Sequence, residues 1–210
     1  PGKIIDSTLR QLETLNMLYT KYIIYNEETA PIQNPHALGN AWLVDNYRFV
    51  DNAREEINAL DNFDPARTAI IHKEFMEHLK NKSFRKDTTG KITLTHYEPN
   101  HLKYKFQADS EQLVVFSEVY YPQGWKLFID GDPADPFRAN YILRAAIVPG
   151  GEHNIEMKFE PKSFFMGNKI ANYSSIILWV LLVLIIGYEL YNYYFKEASE
   201  KKAQGKKTKR

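Results

Sequence analysis

An uninterrupted apolar run near the C-terminus constrains this chain more than any other feature. Residues 176–187 read IILWVLLVLIIG, twelve residues without a charge. A helix of that length spans about 18 Å, whereas the hydrocarbon core of a bilayer is roughly 30 Å thick. The flanks extend the segment, and residues 172–195 carry tyrosines near both ends, where aromatic side chains favour the membrane interface. The sequence therefore predicts one transmembrane helix over 172–195.

The basic tail after this helix predicts its orientation. Residues 196–210 contain seven Lys/Arg and two Glu, whereas the first 195 residues contain 20 Lys/Arg and 24 Asp/Glu. Because the cytoplasmic flanks of membrane helices are enriched in Lys and Arg, the tail is predicted to be cytoplasmic and the body extracytoplasmic. A slightly acidic body is not the footprint of a nucleic-acid-binding domain, so the expected partner is the lipid bilayer and not nucleic acid.

Cysteine and histidine usage narrows the chemistry. The chain has no cysteine, which excludes a disulfide scaffold, a thiolate zinc finger and thiol catalysis. The six histidines match no metal motif, since His72 and His78 do not share a helical face and His96 and His101 flank a turn. No P-loop, nucleophile elbow or dinucleotide fingerprint occurs. We therefore expect no metal and no cofactor, and the sequence identifies no catalytic residue.

A small α/β unit is predicted over residues 1–72. Asn52 followed by Glu55 resembles a capping box that opens a short helix. The other predicted elements of this unit are a helix over 4–19 and strands at 21–25, 41–50 and 68–72. Residues 73–90 are polar and weakly patterned, which indicates a linker.

After residue 90 the apolar period changes to two. Six short strands with turn signals between them predict an antiparallel β-sandwich over 91–167, in which Trp125 points to the core with Leu127 and Ile129. The expected fold class is α+β: the small N-terminal α/β unit, the β-sandwich, the transmembrane helix and the basic tail of residues 196–210. Because the sandwich ends a few residues before the helix, the domain is expected to lie close to the membrane surface.

Two segments of the body carry candidate site residues. Residues 130–135 read DGDPAD, but they lack the spacing of a calcium loop and are interpreted as a turn. Residues 117–125, SEVYYPQGW, are the densest polar–aromatic cluster, and both sugar binding and edge packing remain open for it. The candidate binding residues are Glu118, Tyr120, Tyr121, Trp125, Asp130, Arg144 and His153.

Several stretches resemble YfhO-like bacterial membrane proteins. The longest is SEVYYPQGWKLFIDG at 117–131, followed by ANYILRA at 139–145 and VPGGEH at 148–153. Upstream, LNMLYTKYII at 15–24 and GNAWLV at 39–44 resemble the same family. The stretches occur in order over most of residues 9–167, and the chain resembles the C-terminal part of such a protein.

The resemblance implies a polytopic membrane protein with a GT-C-like glycosyltransferase architecture. Such enzymes use a lipid-linked sugar donor and act on envelope polymers or proteins at the outer face of the bacterial cytoplasmic membrane. The implied partners are other transmembrane helices of the same protein or complex, a polyprenyl-phosphate sugar and an envelope glycan acceptor. The catalytic carboxylate of GT-C enzymes lies on an early extracytoplasmic loop that nothing here matches, so the resemblance transfers no catalytic residue.

Two functions therefore stay open. In the first, the chain is the extracytoplasmic domain and final helix of such a glycosyltransferase-like protein, with an accessory acceptor-binding or structural role. In the second, it is a C-terminally anchored, single-pass envelope binding module or a subunit of a membrane complex. The chain begins Pro1-Gly2-Lys3 without an initiator methionine, so we expect it to be internal to a longer polypeptide.

Overall fold

The computed structural model describes residues 9–80, 82–85 and 87–196, with two compact units, Pro1–Glu160 and Pro161–Arg210. The helices described are α1 (Glu13–Met17), α2 (Ala53–Ala59), α3 (Met76–Leu79, after a 3₁₀ turn at Lys73–Phe75) and α4 (Lys162–Tyr191, continued by a π-helical turn at Asn192–Lys196). The strands described are β1 (Tyr22–Ile23), β2 (Ile32–Gln33), β3 (Ala41–Val44), β4 (Asn46–Val50), β5 (Thr68–His72), β6 (Lys91–Glu98), β7 (His101–Ala108), β8 (Gln112–Val119), β9 (Trp125–Ile129), β10 (Asp132–Ala134), β11 (Phe137–Ala139), β12 (Leu143–Val148) and β13 (Gly151–Phe159).

A four-stranded antiparallel sheet, in the order β11-β12-β8-β3, lies at the centre of the first unit. Alternate side chains of β8 enter two different cores: Leu113 and Val115 pack with Ile70 of β5, whereas Phe116 packs with Tyr104 of β7. Strands that are buried on both faces read as continuous apolar runs instead of alternating ones. The sequence LVVF at 113–116 has this form, so this sheet is the middle layer of the unit.

A five-stranded antiparallel sheet, in the order β10-β9-β13-β7-β6, covers one face of the central sheet. Its strands alternate, with Leu102 and Tyr104 buried while Lys103 and Lys105 are exposed. The buried side chains share one core cluster with β8 and β12, so the two sheets pack face to face. The predicted α+β class with antiparallel sheets is therefore confirmed.

The parallel pair β4-β5 and its crossover helix α2 lie on the other face of the central sheet. Parallel neighbours need such a crossover, since a tight turn can only join antiparallel strands. The predicted capping box at the start of α2 is confirmed: Asn52 Oδ1 accepts from the Glu55 amide at 3.0 Å, and Glu55 Oε2 accepts from the Asp51 amide at 3.0 Å. This is the α/β part expected from the first 72 residues.

Several predicted boundaries were wrong. Residues 41–50 form two strands because the chain changes sheet at Asp45, so β3 pairs with β8 and β4 pairs with β5. The segment 73–90 contains α3, and its Leu79 and Phe84 are buried in the core. Strand β1 covers only two of the residues predicted at 21–25, and the predicted start of the first helix lies outside the described residues. Strand β3 belongs to the predicted first unit and β8 to the predicted sandwich, yet the two strands share a sheet. The domain boundaries at residues 72 and 91 therefore stay predictions.

Helix α4 confirms the predicted membrane-spanning segment but begins ten residues earlier, directly after Pro161. It is long and apolar enough to cross a bilayer, and none of its residues is buried within the chain. Apolar side chains occupy all of its sides, which is typical of a helix surrounded by lipid or by other helices. The basic tail from residue 197 onward lies outside the described residues.

A buried corner at Asn140 connects the central sheet to β5. Asn140 and Tyr141 adopt left-handed backbone angles, with φ of 49° and 71°. The Asn140 amide donates to the Ile70 carbonyl at 2.7 Å, and Asn140 Oδ1 accepts from the Ile70 amide at 2.8 Å. Asn140 therefore bonds Ile70 in the way that a residue of a neighbouring strand would. This gives the segment ANY at 139–141 a structural role.

Replacement of Asn140 separates the contribution of its side-chain hydrogen bond from that of its left-handed backbone conformation. Asn140→Gly removes the acceptor for the buried Ile70 amide, at a cost of about 1–3 kcal/mol. Asn140→Ala loses the same bond and adds the strain of a Cβ in the left-handed region, about 1–2 kcal/mol more. We expect the free energy of unfolding, measured by urea titration of the chain in detergent, to fall in the order wild type, Gly, Ala. Two variants as stable as the wild type would contradict this account of the corner.

Candidate functional site

A β-bulge shapes the segment SEVYYPQGW. Leu143 pairs with Val119, but the next residue, Arg144, pairs with Phe116, so Ser117 and Glu118 have no partner in β12. Bulges bend a strand and are common beside functional sites. After the bulge the Tyr120 amide donates to the Ile142 carbonyl at 2.7 Å. The chain then leaves the sheet through a turn that returns it at Trp125.

Arg144 fills the space behind this bulge. It is 3% exposed, and its Nε and Nη2 donate to the Val119 carbonyl at 3.1 and 2.9 Å. Its guanidinium lies 4.3 Å from the centre of the Trp125 ring, and Nη1 lies 3.0 Å from Met157 Sδ. A buried guanidinium with these contacts fixes both the bulge and the indole ring.

Glu118 is the carboxylate whose charge acts on Arg144. Burial raises the pKa of Glu118, and the attraction of Arg144 opposes that rise. Burial also lowers the pKa of Arg144, and Glu118 opposes that fall. Neither residue forms a salt bridge within the part of the chain that the structure describes. The hydroxyl of Tyr104, buried nearby, has no hydrogen-bond partner there, and burial raises its pKa.

A cleft of about 540 Å³ opens in front of Trp125. Trp125 is half-buried and not fully buried as predicted, because it is the first residue of β9: it packs on Arg144 and on Phe159, 5.4 Å away, and also lines the cleft. The cleft is aromatic, proline-rich and polar at its rim, and it is lined by Tyr120, Pro122, Trp125, Lys126, Leu127, Phe128, Pro133, Ala134, Asp135 and Pro136.

The turn between Tyr121 and Trp125 requires a glycine. A Cβ at Gly124 would come within 2.4 Å of the Phe159 ring, the ring that supports Trp125. The Gly124 carbonyl also accepts from the Glu160 amide at 2.7 Å. The turn is thereby held to the end of β13, and the position of Trp125 with it.

A second cleft of about 550 Å³ adjoins the first and shares Tyr120 and Pro122 with it. The Tyr120 ring packs edge-on against Phe75 at 5.7 Å. Burial raises the pKa of Tyr120, and the charge of Glu74 raises it further. Tyr120 therefore stays a neutral hydrogen-bond donor and acceptor between the two clefts.

An ion pair under the second cleft was missed by the sequence analysis. Glu56 is fully buried, and its carboxylate accepts from Arg138 Nη2 at 3.0 Å and from the Tyr141 amide at 3.0 Å. Burial raises the pKa of Glu56, against the effect of Arg138. One signal was present: Glu56 precedes the buried Ala59 and Leu60 by three and four residues, which places it on the inner face of α2.

The chain was compared with known proteins. Residues 72–171 match the family model described as bacterial membrane protein YfhO. Over these residues the chain is similar to the YfhO family of bacterial membrane proteins. Neither the curated proteins nor the solved structures with which the chain was compared gave a match.

The YfhO match confirms the resemblance inferred from the motifs. It includes the bulge, both walls of the first cleft and Arg144, and it ends ten residues into α4. The upstream stretches at 15–24 and 39–44, and Glu56, lie outside the matched residues. Together with α4, the match shows a membrane protein.

The predicted site residues separate into two places. Tyr120 and Trp125 line the first cleft, Arg144 stacks on the Trp125 ring, and the charge of Glu118 acts on Arg144. Tyr121 is exposed beside them, and its hydroxyl donates to Gln123 Oε1 at 3.2 Å without lining either cleft.

Asp130 and His153 form the other place. His153 Nδ1 lies 2.6 Å from Asp130 Oδ2, and Asp130 Oδ1 accepts from the Asn154 amide at 2.8 Å. The Asn154 amide and His153 lower the pKa of Asp130, and Asp130 raises the pKa of His153. Asp130 lies in the left-handed region with φ of 52°, at the tight β9–β10 turn. Only the first residues of DGDPAD form the predicted turn, because Asp132–Ala134 are strand β10, paired with β9.

Proposed function

We propose that this chain holds an envelope glycan acceptor in the Tyr120–Trp125 cleft, on the outer side of the bacterial cytoplasmic membrane. In this proposal it is an accessory part of a polytopic glycosyltransferase-like protein. The sugar comes from a lipid-linked donor, and the residues that catalyse transfer lie on other parts of that protein. This chain contributes binding and position, not catalysis.

The observation that carries the proposal is the two-sided environment of Trp125. One side of its ring is fixed by Arg144 and Phe159, and the ring also lines an open cleft with Tyr120. A rigid aromatic face suits the apolar C–H face of a sugar ring, and rim groups such as Asp135 and Lys126 suit its hydroxyls. Pre-organised rings lose little entropy when a ligand binds.

The requirements of glycosyl transfer support a non-catalytic role for this chain. The acceptor hydroxyl needs a general base, and the departing phosphate needs an electrostatic clamp. Among the described residues, the buried charge beside the cleft is that of Arg144, which stacks on Trp125 and donates to the Val119 carbonyl. A polyprenyl tail also needs a groove between helices, which α4 alone does not provide.

Binding is tested by intrinsic fluorescence of the whole chain in detergent. Trp42 is buried and Trp179 lies in α4, so a Trp179→Phe background makes Trp125 the main reporter of the cleft. Titration with soluble peptidoglycan fragments and teichoic-acid oligomers is expected to show saturable binding of at least one of them. Tyr120→Ala is expected to weaken that binding about tenfold, the equivalent of roughly 1.4 kcal/mol.

The matched control is Tyr25→Ala, which removes a tyrosine that is 65% exposed and lines neither cleft. It is expected to bind like the parent chain. Equal losses in the Tyr120 and Tyr25 variants, or no saturable binding of any glycan, would rule out the acceptor cleft.

Sidedness is tested separately with single cysteines, since the natural chain has none. Asn100 is exposed in the β6–β7 turn, and Ala203 lies in the basic tail. The positive-inside rule predicts that an impermeant thiol reagent labels Asn100→Cys on intact spheroplasts and labels Ala203→Cys only after lysis. The reverse pattern would show that the body faces the cytoplasm.

A further inference from the structure

The β6–β7 hairpin brings together two histidines and a glutamate around its turn. One ligand atom each from His96, Glu98 and His101 lies within 4.8 Å of the others. The sequence predicted no metal site, because the six histidines match no metal motif and His96 and His101 flank a turn. The hairpin removes that objection, since its turn folds His101 back beside His96.

A β-bulge places the three side chains on one face. Leu94 pairs with Tyr104, but His96 pairs with Lys103, so Thr95 is an extra residue in β6. Side chains directly opposite each other in a ladder point to the same face, so His96 lies on the outer face with Lys103, and Glu98 with His101. Without the bulge, His96 would continue the inward series of Ile92 and Leu94.

The three side chains are close and reachable from solvent. The imidazole centres of His96 and His101 are 5.4 Å apart, and His96 Nε2 lies 3.1 Å from Glu98 Oε1. Their exposed fractions are 41%, 55% and 24% for His96, Glu98 and His101. An ion can therefore reach them with small side-chain rotations and without a change in the backbone.

A second carboxylate orients His101. His101 Nε2 lies 2.6 Å from Glu156 Oε1, on the neighbouring strand β13. Lys103 and Lys158 also bind the Glu156 carboxylate, at 3.4 and 2.8 Å. A histidine that donates one ring N–H to a carboxylate presents its other nitrogen to a metal in a fixed direction. Glu156 is therefore the candidate positioning residue, and its contact with Nε2 leaves Nδ1 of His101 available to a metal.

We propose that His96, Glu98 and His101 bind one divalent transition-metal ion, with zinc as the best match, at the end of the β6–β7 hairpin. Imidazole nitrogen with a carboxylate suits Zn²⁺, Ni²⁺ or Cu²⁺ better than Mg²⁺ or Ca²⁺. Three protein ligands leave a coordination position open for water or for a group on a partner. The site is separate from the acceptor cleft and does not depend on it.

The ion would fasten the end of the five-stranded sheet. The carbonyl of Asn100, in the turn between the ligands, accepts from the Phe159 amide at 2.9 Å. Phe159 is the last residue of β13, three residues before α4 begins. Binding to the folded state alone stabilises it by mass action, so the melting temperature should rise with zinc concentration.

Isothermal titration of the tag-free whole chain with ZnCl₂ tests the proposal. We expect one ion per chain, and at least tenfold weaker binding in His96→Ala, His101→Ala and Glu98→Gln. Glu156→Gln should also weaken binding, by about 10–100-fold, at a temperature where circular dichroism shows that the variant is folded. Because Glu98 is exposed, we expect Glu98→Gln to fold. This variant therefore tests the site even if a histidine variant does not fold.

His153→Ala is the matched control, because His153 also contacts a carboxylate, Asp130, but does not belong to the cluster of His96, Glu98 and His101. It should bind zinc like the wild type. No zinc binding by the wild type, or unchanged binding in the His96→Ala/His101→Ala double variant, would overturn the proposal. Failure of glycan binding at Tyr120 would leave this site unaffected, so the two proposals are tested independently.

Discussion

The burial of β8 on both of its faces is the constraint on which the first unit depends. Its alternate side chains enter two cores, one shared with the five-stranded sheet and one shared with the α2 crossover unit. A shift of β8 by one residue would exchange the two sets of side chains, so its register is fixed from both sides. The left-handed corner at Asn140 adds a third connection, because it pairs the end of the same sheet with Ile70 of β5. The layers therefore form one structure.

The candidate cleft begins where the two-sided burial of β8 ends. Beyond Phe116 the strand leaves the shared cores, and Ser117 and Glu118 form a bulge instead of continuing the ladder. The exposed edge of a bulge needs support, and the buried Arg144 provides it through the Val119 carbonyl and the Trp125 ring. A buried cation is costly unless its donors are used, and here a carbonyl, a thioether and an aromatic face use them. The proposed acceptor cleft thus rests on a residue that is itself buried.

Local patterns made much of the fold predictable. Period-two alternation indicated β6, β7 and β9, the Asn52–Glu55 pair indicated the start of α2, and the apolar run indicated α4. The break at Asp45 could not be predicted, because AWLVDNYRFV reads as one strand and the change of sheet depends on Asp45 and Asn46 amides that both bond the Arg67 carbonyl. The segment SEVYYPQGW was singled out as a candidate site from its composition, but the contacts of Glu56 with Arg138 and of Arg144 with Val119 join residues far apart in the chain.

Hydrogen exchange in the Arg144→Lys variant tests most directly whether Arg144 shapes the cleft. Lysine keeps the charge but cannot place two donors on one carbonyl or stack its head group on the indole as a guanidinium does. We predict that the amides of residues 119–125 exchange faster in the variant, while those of β6 and β7 keep their wild-type rates. In particular, the Tyr120 amide, which bonds the Ile142 carbonyl in the wild type, should lose protection. Unchanged exchange over residues 119–125 would contradict the claim that Arg144 holds the bulge and the cleft in place.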